Sequence, residues 1–272
     1  MATRTEYLSI SSRGIDFDSV PMRLFQKSKK LGTWDPMSFD LEQDRRDWLA
    51  LPQPRREDLL GTTTLFQAGE EAVTLDLLPL VMAVARAGRL EEEIYLTSFL
   101  WEEAKHTEFF RRWLDAVPRI GAQDLHDYIG PNYRRLFFEE LPAAMGRLLD
   151  DGSDEALARA LTTYNMVIEG VLAETGYHSY SLQLEQGRLF PGLAAALQLI
   201  SRDETRHIRF GVYMLQQLIR RDARNWEVVQ RRMDEIMPLV LGMFGGDPEM
   251  TGFALAQHHK RVRVLERAAG AR

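Results

Sequence analysis

The chain has 272 residues, 40 acidic against 34 basic side chains, a formal net charge of -6, 45% hydrophobic content and no cysteine. That length suits one generous domain with a real core, and the apolar content excludes a disordered protein. Zero cysteine excludes a disulfide scaffold, thiolate zinc, iron–sulfur clusters and a cysteine nucleophile. Any metal must then be held by Glu, Asp and His, which suits harder ions such as iron or manganese. The modest charge argues against a dedicated nucleic-acid binder. The first twenty residues mix charge and polarity without an apolar core, unlike an export signal. The longest apolar run, Leu77 to Ala85, is about half of a bilayer span, so a soluble cytoplasmic protein is expected.

Residues 1–60 read as an irregular N-terminal segment. Gly14, Pro21, Gly32, Pro36, Pro52 and Pro54 leave room for one short helix near Phe39–Leu49. From about Thr63 the pattern turns helical, with long segments at 63–87, 90–117, 154–186 and 191–221. Gly88, Pro118, Gly121, Gly130, Pro131, Pro142, Gly187 and Pro191 act as breakers. A shorter helix is expected over 133–149. Another long one over 223–243 is ended by Gly245-Gly246-Asp247-Pro248. Residues 250–272, with the basic run His258-His259-Lys260-Arg261-Val262-Arg263, read as a peripheral basic tail. Strand signals are nearly absent, which predicts a single all-α domain over 1–272.

Three long segments carry an apolar stripe interrupted by charge. The first runs Phe66, Glu70, Val73, Leu77, Leu80 and Val84; the second Leu96, Phe99, Glu103, His106, Phe110 and Trp113. The last runs Leu193, Leu197, Ile200, Glu204, His207, Met214 and Leu218, with Gly211 in register. Steps of three and four define one helix face. Glu169 lies among Met166, Val167, Leu172 and Ala173, also in an apolar setting. An ionised carboxylate in such a core costs several kcal/mol or more unless it is compensated. One shared cation site would explain all of them.

Glu103-x-x-His106 and Glu204-x-x-His207 place carboxylate and imidazole one turn apart on one face. A lone copy would mean little. Here Glu70 precedes the first motif by 33 residues (70 to 103) and Glu169 the second by 35 (169 to 204). The pattern is a repeated helix pair, as in dinuclear carboxylate bundles. Glu71 falls nearer Gln67 and Thr74, and Glu102 runs with Ser98 and Lys105, so both read as solvent-facing. Four carboxylates at formal charge -4 match two divalent ions with neutral histidines. Asp203, beside Glu204, can hydrogen-bond a ligand histidine and set its tautomer. His126, His178, His258 and His259 lack partners at ligand spacing and read as structural.

The Glu…Glu-x-x-His…Glu…Glu-x-x-His pattern resembles the ferritin-like superfamily. More narrowly, about residues 30–245 resemble the ribonucleotide-reductase small-subunit family and, within it, the ligand-binding oxidase branch. The usual reductase subunit has its radical tyrosine where this chain has Phe110, and Asp where it has Glu70. The run Gln67-Ala68-Gly69-Glu70-Glu71-Ala72-Val73 resembles the oxidase branch. That resemblance implies a self-generated ether crosslink between Val73 and Tyr164, and a mixed Mn/Fe site with di-iron as the alternative. It also implies a long-chain fatty acid bound at the metals, with Tyr177 lining the site. Trp34 resembles the family's radical-transfer tryptophan by its spacing from Glu70. A homodimer and an unidentified electron donor are implied as well.

The implied function is an O2-activating oxidase or oxygenase acting on C–H bonds of a bound hydrophobic ligand. Three alternatives stay open. A tyrosine-less reductase subunit usually carries a tyrosine in its C-terminal tail, whereas here 59 residues follow the last one, Tyr213. A ferritin-like ferroxidase or iron store is disfavoured by the long N-terminal segment. A metal-free helical interaction module would leave the buried acids unexplained.

Overall fold

The computed structural model describes residues 7–185 and 188–270, and among these it forms helices and no strand. Four long elements surround the interior. They are α3 (Gln53–Arg86), α4 (Leu90–Ala116), a composite third helix and α9 (Pro191–Arg221). The third consists of α7 (Asp154–Leu161), a π segment (Thr162–Ala173) and α8 (Glu174–Gln183). Helix α3 lies along α4, the π segment lies along α9, and α4 meets α9. Gly88, at φ +66°, makes the turn between α3 and α4 where the sequence placed it. Residues 131–149 form a chain of short helical turns, including a second π stretch at Leu136–Glu140.

The N-terminal segment differs from expectation. It contains α1 (Val20–Leu31) in addition to α2 (Glu42–Ala50), the short helix expected near Phe39–Leu49, and α3 begins ten residues before the expected start. The prolines read as breakers sit at helix starts, where no intrahelical N–H is needed: Pro21 in the first turn of α1, Pro52 and Pro54 at the start of α3. Ser19 Oγ caps α1 by accepting from the Met22 amide. Helix α1 covers α4 and α9, burying Met22, Leu24 and Ser28.

The C-terminal tail differs too. After α10 (Arg224–Met243) and the left-handed pair Gly245-Gly246, helix α11 (Pro248–Gly270) packs on α8, α9 and the π segment. Its buried face carries Met250, Ala254, Arg261, Leu265 and Ala268. The basic run is thus split, with Arg261 inside, His258 and Val262 half-buried, and His259, Lys260 and Arg263 exposed.

Helix α2 fixes the start of α9. Asp44 is fully buried and accepts from the Gly192 and Leu193 amides (2.8 Å each) and from Trp113 Nε1 (3.0 Å). Asp47 accepts from the amide of Phe190 (2.7 Å), which adopts φ +53°. Carboxylates at a helix N-terminus satisfy orphan amides and complement the helix dipole. Farther along α9, Gly211 permits close approach to the π segment, because a Cβ there would lie 2.2 Å from Asn165 Cβ. Asp44→Ala should cost about 2–3 kcal/mol, since it strips two amides and one indole of their acceptor. Denaturant unfolding checks this, and an unchanged midpoint would contradict the role.

Candidate metal centre

All six residues of the two motifs converge. Glu70, Glu103, His106 and Glu204 form one set of donors; Glu103, Glu169, Glu204 and His207 form another, and every member is buried. His106 Nδ1 lies 3.4 Å from Glu70 Oε2, 3.5 Å from Glu103 Oε2 and 3.3 Å from Glu204 Oε1. His207 Nδ1 lies 3.2 Å from Glu103 Oε1, 3.4 Å from Glu204 Oε2 and 3.7 Å from Glu169 Oε1. Bonds of about 2.1 Å to a common ion put adjacent donors about 3.0–3.4 Å apart, so the spacing fits metal coordination. Glu103 and Glu204 offer one oxygen to each set, the arrangement of bridging carboxylates. Glu103 Oε2, Glu169 Oε1, Glu204 Oε2 and both Nδ1 atoms have no hydrogen-bond partner despite burial. Such orphaned donor atoms facing one another fit a pair of cations better than any protein-only arrangement.

The outward nitrogens of both histidines meet carboxylates. His106 Nε2 lies 3.4 Å from Asp203 Oδ2, and His207 Nε2 lies 2.9 Å from Glu102 Oε2. Such partners fix the tautomer and leave Nδ1 free for a metal. Arg206 Nη2 joins the two, donating to Glu102 Oε1 (2.6 Å) and Asp203 Oδ1 (2.5 Å). Lys105 Nζ adds 3.3 Å to Asp203 and sits 4.2 Å above the Trp34 ring. This outer layer of two acids and two cations is formally neutral. The inner four glutamates keep their -4, enough for two divalent ions.

Glu102 is therefore not solvent-facing. It is fully buried, and Ser98 and Lys105 on its face are buried with it. The cause is α1: a Cβ on Gly32, at the end of that helix, would lie 2.2 Å from Glu102 Oε1. Glu102, Lys105, Arg206 and Asn165 are the residues sequence reading missed. The spacing Glu102-to-Lys105 and Asp203-to-Arg206 repeats that of Glu103-to-His106 and Glu204-to-His207 one position away, and this was the available signal.

Without cations the acids titrate unusually. Burial pushes Glu70 up to about 8, although His106 opposes it, and burial with the neighbouring Glu204 pushes Glu169 up as well. Glu103 is also penalised by burial, yet the nearby His106 and His207 imidazoles bring it down to about 2. Both imidazoles are raised by the carboxylates around them, against the effect of burial.

The π segment changes the geometry around Glu169. An α-helix sets Tyr164 about 140° away from Glu169. A π turn, with its i to i+5 step, brings residues five apart over one another. Tyr164 Oη donates to the Val73 carbonyl (3.1 Å) and lies 3.4 Å from Glu103 Oε1. Asn165 Nδ2 donates to Glu169 Oε2 (2.7 Å), holding that carboxylate with Oε1 inward. Trp34 Nε1 donates to Asp203 Oδ2 (2.8 Å) and its ring stacks on His106 at 6.0 Å. Phe110 is fully buried 5.4 Å from Phe66. Tyr177 stands 5.3 Å from Phe66, its hydroxyl buried and unpartnered. His126 and His178 pair elsewhere, with Asp124 and Glu249.

A cavity of about 270 Å³ adjoins the carboxylates. Glu70, Glu103, Glu169 and Glu204 line it beside Phe66, Val73, Phe137, Ile168, Leu172 and Phe244. It extends along α3 as far as Thr62, about 12 Å from Glu70 by helix rise. No described helix is long and apolar enough to cross a membrane.

The ribonucleotide reductase, small chain family model matches residues 23–240. Solved structures of R2-like ligand-binding oxidases are similar over nearly the whole chain. A glycine-to-phenylalanine variant with anaerobically reconstituted Mn/Fe cofactor has a TM-score of 0.93 at 38% identity, covering 97% of this chain and 100% of that one. A valine-to-leucine variant with aerobically reconstituted Mn/Fe cofactor gives 0.92 at 38%, with 97% and 100% coverage. A glycine-to-leucine variant with a non-activated Mn/Mn cofactor gives 0.94 at 37%, with 98% and 100%.

Burial raises Glu169 and pushes Glu70 up to about 8, so the Glu70 carboxyl holds a proton at pH 7 that a cation must displace. Divalent-ion affinity should therefore climb as pH rises from 6 towards 8, with proton release on loading. Calorimetric titration in two buffers of different ionisation enthalpy measures this; a buffer-independent heat would refute it. Glu102→Gln should weaken the ion on the His207 side about 10- to 100-fold and the other by less, as read by chelator competition.

Proposed function

The chain belongs to the ribonucleotide reductase small-chain family, and from that premise we propose that it is an O2-activating oxidase with a Mn/Fe centre. The observation that carries this reading is the pair of interlocking buried donor sets sharing Glu103 and Glu204, with an apolar cavity against them. Glu70 and His106 would complete one ion's set, Glu169 and His207 the other's. When bound, the metals would supply the electrons for O2 reduction and the oxidising power for C–H cleavage.

The chain's own residues do the rest. Phe66, Phe137, Ile168 and Leu172 keep water from the carboxylates and hold an alkyl chain beside them. A long-chain fatty acid fits this layout, its carboxylate at the cations and its chain along α3. Tyr164 keeps its proton on Oη, since burial and Glu103 push the phenol well above its usual value. Its 3.1 Å contact with the Val73 carbonyl sets the phenol beside that valine. An ether link there replaces one C–H and the phenolic O–H with a C–O bond. The two protons and two electrons released pass to O2 as terminal oxidant. The relatives substituted at a glycine and a valine four residues apart match the spacing of Gly69 and Val73.

We further infer a homodimer through the outer face of α3. Leu75, Leu78 and Met82 stand 65%, 45% and 47% exposed at helical spacing, an apolar stripe whose burial would stabilise association.

Aerobic loading with Mn and Fe should give two ions per chain by elemental analysis, and no stoichiometric metal would end the proposal. Peptide mapping should find Val73 and Tyr164 joined with loss of two hydrogens, abolished in Tyr164→Phe while both ions remain. Absence of the link in the loaded wild type would sink the crosslink alone. Mass spectrometry of denatured protein should release a carboxylic acid. Leu78→Glu should shift the light-scattering mass from dimer to monomer.

A further inference from the structure

Helix α11 lies beyond the residues matched by the family, yet it reaches the segment carrying Glu169. From it, Arg261 points inward, 7% exposed. Its Nε donates to the Gly170 carbonyl at 2.9 Å, next in the chain to Glu169. Its other partner is distant, with Nη2 3.9 Å from Glu174 Oε2. A buried guanidinium with one close bond is costly, so that bond must matter to the arrangement.

The carbonyl it meets lies near the end of the π segment, where the ladder returns from an i+5 to an i+4 step. At such a change a carbonyl is left without an amide donor. Residue 170 is also confined: a Cβ there would lie 2.8 Å from Arg261 Nε and 3.0 Å from the Asn165 carbonyl. Glycine is what lets the guanidinium approach the backbone.

We infer that Arg261 is a positioning residue for the second half-site. By capping the Gly170 carbonyl it holds the π register that turns Glu169 towards Glu103, Glu204 and His207. Asn165 steers the same carboxylate from within the segment at 2.7 Å, so Glu169 is held by its own helix and by α11. The inference rests on the reading of the site as a dinuclear metal centre.

The test compares full-length wild type, Arg261→Met, Arg261→Lys and Leu265→Ala. The last loosens the same buried face of α11 but leaves the Arg261 bond. Manganese titration followed by chelator competition reads the two affinities separately. Hydrogen exchange of metal-free protein reads the backbone of 162–175. Arg261→Met should weaken one ion about tenfold or more and leave the other within about twofold. Exchange should quicken within the π segment, and Arg261→Lys should restore part of both effects. Equal weakening of both ions, the same pattern in Leu265→Ala, or an unaltered Arg261→Met would overturn the inference while the metal centre stands. A wild type that takes up fewer than two manganese ions would overturn the metal reading itself, and the inference with it.

Discussion

Four carboxylates in one apolar interior are the constraint that the remaining structure serves. Each would cost several kcal/mol if left ionised and unpaired. Their mutual repulsion adds to that, and together with burial it raises Glu70 and Glu169. A fold that tolerates this needs rigid helices and an outer layer that adds no net charge. Glu102, Asp203, Arg206 and Lys105 provide the second, and Asp44 contributes to the first by tying α9 to α2. The strain relieved by cations is thereby concentrated at one place.

The π segment is the other departure from a plain bundle. It carries Tyr164, Asn165, Glu169 and Gly170, each with a different task within seven consecutive helical positions. An α-helix would spread those side chains around the cylinder. The wider turn gathers Tyr164 near Val73 and Glu103 while Glu169 faces His207. π turns are costly and tend to persist at functional sites, in keeping with the position of this one.

Much of the site was legible because the signal is local. An acid on an apolar stripe, and Glu-x-x-His twice over, need only helical periodicity to be read. The element ends at Gly88 and Gly245-Gly246 were equally plain. What escaped depends on distant chain. Glu102 is buried only because α1 lies over it, and α1 sits in a proline-bearing stretch whose prolines start helices instead of ending them. The π register escaped for another reason: residues 162–171 are buried all round, so no polar face betrays the period. Arg261 was lost in a basic run whose other cations, Lys260 and Arg263, are exposed.

Arg206 has a consequence for how the two halves communicate. Its single Nη2 nitrogen bonds to the acid behind each histidine, Glu102 on one side and Asp203 on the other. The halves therefore share one donor and cannot adjust independently. A change in basicity at one imidazole shifts that donor's balance and is felt at the other. Occupancy of the two positions is then thermodynamically linked, and reciprocity requires each binding event to alter the other by the same factor. Two ions bound there would not load independently: the first to arrive would help decide how tightly the second is held.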